Sequence, residues 1–127
     1  LEYFLNINLQ DILGIIFSPL AWTMGIPWKE ANIVGRLMGE KIVLTELIAY
    51  GSLGDLINKN MISERSAIIS SYALCGFANF GSIGIQLGGI GAMAPEKRNI
   101  LSKIVLKAMI GGALASWLTA TIAGILI

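Results

Sequence analysis

Histidine is missing from this chain altogether, and with it the commonest general base and metal ligand of proteins. A single cysteine, Cys75, excludes an internal disulfide and leaves the redox compartment unread. Charged residues fill only 13% of the 127 positions, and the net charge of +1 offers nothing to a nucleic acid. The chain opens at Leu1 with neither a methionine nor a basic segment before an apolar core, so no signal peptide is read and a piece of a longer chain is expected. The glycine-rich "GSIGIQLGG" (81–89) has no following Lys-Ser/Thr, so it is no phosphate loop. No acids share a metal-ligand spacing, no cofactor is indicated, and no base stands beside a nucleophile. Enzymatic activity, including that of an intramembrane enzyme, is therefore not expected.

What abounds is apolar. The apolar share is 55% and the mean hydropathy +0.74, above the roughly 45–50% apolar share of soluble domains. The expected fold is an all-α membrane protein. Over 1–26, Leu9, Ile12, Leu13, Ile16, Phe17 and Leu20 recur at helical spacing. They predict an interfacial helix, too short for a hydrocarbon core of about 30 Å and ended or bent near Pro19. "GIPW" (25–28) is the next break, with Trp22 and Trp28 near an interface.

Residues 27–50 carry six charges, and no uncharged run among them reaches ten residues, whereas a span takes about 20 apolar residues. With a turn at "MGEK" (38–41) they read either as a re-entrant helical hairpin or as a helix pair lying at the surface. Residues 51–65 read as a loop, ending in Ser63 as a candidate N-cap. From Ser66 to Pro95 thirty positions pass without a charge; as one helix they would run about 45 Å. Six glycines between Cys75 and Met93 predict a break in that helix, so 66–94 reads as a discontinuous transmembrane helix. Residues 95–127 open on Pro95 and close on twenty uncharged positions, a final spanning helix. Four basic residues against one acid over 94–107 place that loop in the cytoplasm and the carboxyl end outside.

Two features invite chemistry. Asn79 and Ser82 lie three apart in the glycine-dense stretch. An amide and a hydroxyl suit a ligand rich in hydroxyls, but they also serve as glue between helices, as does the Gly84–Gly88 pair. Glu46 is flanked by "KIVLT" and "LIAY". At membrane depth such a carboxylate needs a partner or a wet cavity; at the interface it would be solvated and paired with Lys41.

The strings "GEKIVLTELIAY" (39–50), "SYALCGFANFGSIGIQLGGIGAMAPEKR" (71–98) and "LTATIAGIL" (118–126) together resemble the carboxyl-terminal part of the concentrative nucleoside transporter family. The resemblance runs from "LQDILG" (9–14) over nearly the whole chain. It implies a homotrimeric, elevator-type, multi-pass symporter of the cell (inner) membrane, driven by sodium or protons, of which this chain is the second inverted repeat. It implies that Glu46, Asn79 and Ser82 contact the ribose hydroxyls, that Phe77 packs near the base, and that the rest of the transporter chain and the lipid bilayer are partners. The base-reading hairpin and the coupling-cation site would lie upstream of Leu1, with no metal site in this chain. The chain departs from the family's usual pattern at Glu40, Thr45, Leu47 and Gly81; Gly81 is expected to loosen the break further. A membrane subunit that does not transport, its polar residues and glycines serving packing alone, is the competing reading.

Overall fold

The computed structural model describes residues 8–127. Every regular element among them is helical: α1 (Leu9–Thr23), α2 (Trp28–Val43), α3 (Glu46–Asn58), α4 (Glu64–Leu74), α5 (Phe80–Met93), a 3-10 turn (Pro95–Lys97) and α6 (Arg98–Leu126).

α1 starts where the Asn8 amide donates to the Asp11 carboxylate at 3.1 Å, and it does not stop at Pro19. Proline removes one backbone donor, yet the helix runs four residues further, to Thr23. Pro19 and Ile15, whose carbonyl loses its helical partner, are both exposed. The chain then turns through Gly25, whose φ of +98° disfavours any side chain, and α2 leaves bent by 119° from α1.

α1 and α2 form the closest-packed pair. Gly14 and Ser18 face Gly35, and Gly39 faces Leu13; small residues spaced four apart on each helix let the backbones approach. A Cβ on Gly35 would stand 2.5 Å from the Gly14 carbonyl oxygen, and one on Gly39 would stand 2.5 Å from the Leu13 Cβ. The turn expected at 38–41 is therefore absent: Gly39 is small because Leu13 lies against it, and α2 continues through it to Val43.

The reversal comes instead at Leu44–Thr45, where the Thr45 hydroxyl oxygen accepts from the Ile48 amide at 3.4 Å and caps α3. The loop expected over 51–65 is also shorter, because α3 extends to Asn58. Leu53 on α3 is buried with Leu37, Ala49 and Leu74, so packing overrides the turn-like composition of "GSLGD". Ser63 caps α4 as expected, accepting from the Ser66 amide at 3.3 Å, while its own hydroxyl donates to Glu30 at 2.9 Å. The main core joins α1, α2, α4 and α6 through Ala21, Met24, Val34, Met38, Ile69 and Ala120.

Among the described residues one helix, the Pro95–Leu126 stretch, is long and apolar enough to cross a membrane; the bent α1–α2 pair would bring the number to two if it acts as one span. α6 exposes Ile100, Ile104, Leu114, Leu118, Ile122 and Ile125, more contiguous apolar surface than a water-facing helix carries.

Candidate functional site

The long uncharged segment is broken at 75–79, between α4 and α5. Only Gly76 of the six glycines lies in the gap, at φ +100°. Gly81, Gly84, Gly88, Gly89 and Gly91 are all helical. The expected break is present, but five of the six glycines lie beyond it, and Gly81, expected to loosen it, sits in the first turn of α5. A Cβ there would meet the Asn79 side-chain oxygen at 3.3 Å, so Gly81 leaves room for the cap.

The break is organised by its polar residues. Asn79 is the N-cap of α5, its Oδ1 accepting from the Ser82 amide at 2.7 Å. Ser82 reciprocates, its Oγ accepting from the Asn79 amide at 3.3 Å, while its hydroxyl lies against the carbonyls of Asn79, at 2.7 Å, and Phe77. Both residues are buried, Asn79 to 2% exposure and Ser82 to 6%. Across the gap stands Glu46, the first residue of α3. The Asn79 side-chain amide donates to its Oε2 at 2.8 Å.

Two helix N-termini thus converge at the carboxylate, which gains from both dipoles. Glu46 is half-buried, and its second oxygen accepts no hydrogen bond among the described residues. The site accordingly presents an anionic acceptor beside an amide that has a further N–H to give.

Of the four residues singled out from the sequence, Glu46, Asn79 and Ser82 form one hydrogen-bonded chain. Phe77 does not join it: the ring is 73% exposed. With Ser82, Gln86, Val105, Met109 and Gly112 it lines a cavity of about 220 Å³ between α5 and α6.

Sequence reasoning missed the most buried side chain of the site. Lys41, in the last turn of α2, has no solvent exposure. Its Nζ donates to the carbonyls of Ala73 and Cys75, each at 3.1 Å, and to the Ser116 hydroxyl oxygen at 2.8 Å. The sequence alternative that paired Lys41 with Glu46 does not hold: the one ion pair among the described residues is Arg36 with Asp11, at 2.8 Å. A signal existed, since Lys41, like Glu46, is followed by an uninterrupted apolar run. Burying an ion costs several kcal/mol unless hydrogen bonds offset it, and here every ammonium proton has an oxygen.

Helices broken in mid-course recur at the binding sites of membrane carriers built from inverted repeats. The family model described as "Na+ dependent nucleoside transporter C-terminus" matches residues 2–124, and the chain belongs to that family. Similar proteins include the uncharacterized transporter YutK of Bacillus subtilis, 46% identical over 122 residues, 96% of this chain and 30% of that protein. The nucleoside permease NupC of Helicobacter pylori is 39% identical, over 96% of this chain and 30% of that protein. The mouse sodium/nucleoside cotransporter 1 is 42% identical, over 95% and 21% respectively. Among solved structures, that of CNTnw in an inward-facing substrate-bound state superposes with a TM-score of 0.89 at 43% identity, covering 94% of this chain and 29% of the other. The chain therefore spans about a third or less of the length of these relatives. They are transporters and not enzymes, and a membrane location follows from the family.

Proposed function

We propose that the chain supplies the ribose-binding half of a nucleoside symporter driven by a sodium or proton gradient. The observation that carries this reading is the Glu46–Asn79 hydrogen bond, which joins the hairpin tip to the helix break at a point where one carboxylate oxygen and one amide N–H remain free. Vicinal hydroxyls of a ribose are matched donors for the first and acceptors for the second, and a hydrogen bond to an ionised acceptor is about twice as strong as a neutral one. Ser82 completes the polar set by holding Asn79 in its cap geometry, beside the cavity that it lines. The exposed Phe77 ring offers a face on which a base can lie.

In this reading the hairpin α2–α3 is re-entrant, α4 and α5 are one discontinuous span, and α6 is the terminal span facing lipid. The base-reading hairpin and the cation site belong to the first repeat, the assembly is a homotrimer moving by an elevator mechanism in the inner membrane, and the 94–107 segment faces the cytoplasm with the carboxyl end outside. The membrane-subunit alternative draws on the internal saturation of the Ser82 hydroxyl. It requires Asn79→Ala to alter stability while leaving nucleoside affinity untouched.

The deciding measurement is uridine uptake by Glu46→Gln in the full-length protein, with membrane insertion followed in parallel. The expected loss is on the order of a hundredfold or more in kcat/KM with insertion preserved, since a charged acceptor to the substrate is removed. Normal uptake would end the assignment.

A further inference from the structure

The Lys41 cage has no part in the sugar contacts just described, yet it touches the same break. A helix that stops abruptly leaves its last carbonyls without intrahelical donors. At 75–79 the orphans include Ala73 and Cys75, at the carboxyl end of α4, where the helix dipole is negative. Inside a packed protein such oxygens need water, a bound cation or a side chain. Here both point at one ammonium, and the third proton of that ammonium goes to Ser116 on α6. The Ser116 hydroxyl is itself oriented by donating to the Ala113 carbonyl at 2.9 Å. The cage is made of neutral oxygens only, with no carboxylate in ion-pair contact among the described residues. Unwound backbone carbonyls and half-helix carboxyl ends are also groups that coordinate monovalent cations in carriers with discontinuous helices.

We propose that Lys41 is a resident cation: a tethered ammonium occupying an oxygen cage at the helix break, clamping α2, α4 and α6 together and so positioning Asn79 and Glu46 for the substrate. Lys41 lies five residues before Glu46, and the Cys75 carbonyl it holds lies four before Asn79, so one group fixes both sides of the gap. It is a positioning residue and touches no substrate. Its link to nucleoside affinity rests on the reading given under Proposed function; its link to the geometry of the break does not.

The test uses the full-length protein with Cys75 as its only cysteine. Cys75 is exposed and lies in the break, so the rate at which a maleimide labels it reports the order of that segment independently of transport. Lys41→Ala is expected to label at least about tenfold faster and to bind uridine at least about tenfold more weakly, small displacements at a site being costly. Ethylammonium or an alkali cation, added at millimolar to molar concentration, is expected to restore part of both by entering the vacated cage. Lys41→Met, which keeps bulk and removes charge, should show the defects without rescue. Wild-type labelling and affinity in Lys41→Met would overturn the proposal, and so would defects in Lys41→Ala that no added cation relieves.

If neither variant reaches the membrane, Ser116→Ala, which removes one acceptor, should raise the labelling rate about twofold to fivefold; no change would overturn the proposal. Glu46→Gln separates the two readings. If it leaves uridine binding intact the sugar site is wrong, while the labelling change in the Lys41 variants still decides the cage.

Discussion

Glycine does opposite work in two parts of this molecule. Between α1 and α2, Gly14, Gly35 and Gly39 have no room for a methyl group, because a facing backbone or side chain already fills the place. Along α5, Gly84, Gly88 and Gly89 meet nothing within 4 Å. The first set closes a contact; the second keeps a face open. α1–α2 is thus a finished interface, whereas along α5 these three glycines present a bare helical surface among the described residues. The contrast separates a contact that small residues close from a face that they leave open.

That contrast can be broken by substitution. Gly35→Ala should have the largest effect, because the new Cβ meets main-chain atoms that cannot swing aside. A loss of about 1–3 kcal/mol is expected from overpacking of this kind, visible as a lower melting temperature in detergent; an unshifted melting curve would show that the α1–α2 contact is looser than described. Asn79→Ala should come next. It removes the α5 cap, worth about 1 kcal/mol, and releases Glu46, so uridine affinity should fall together with stability. A variant that loses stability but keeps affinity would move Asn79 to the packing side of the comparison. Gly88→Ala should have the smallest effect. With open space around it, alanine gains up to about 1 kcal/mol of helix propensity, so the melting temperature should hold or rise slightly. A fall would reveal that another part of the full-length protein presses on this face.

The same contrast explains what the sequence made readable. The Gly25 corner, the Ser63 cap and the interruption within 66–94 were all signalled by local chemistry, since a positive φ, a hydroxyl before an acid and a long uncharged run with polar insertions each have a local cause. Glu46 and Asn79 were identifiable because their side chains are out of place in apolar surroundings. The tip of the hairpin was not. "MGEK" carries turn-like residues, but Gly39 is there for Leu13, twenty-six positions away, and nothing local distinguishes a glycine that makes room from one that bends the chain. For the same reason six glycines read as one fracture, when a short polar network around Asn79 defines it. Lys41 escaped because its partners are main-chain oxygens of α4 and a hydroxyl of α6, which sequence cannot bring together.

Arg65 shows how firmly one end of the structure is held. Its guanidinium donates to the Gly25 carbonyl at 3.4 Å and to the Gly124 carbonyl at 2.5 Å, groups forty and fifty-nine residues distant along the chain. A methyl group on Gly124 would collide with the Met24 carbonyl oxygen, so the three segments are locked by charge and by shape at once. This corner acts as a rivet at the amino end of α2, and the hairpin tip with its carboxylate follows that helix's other end.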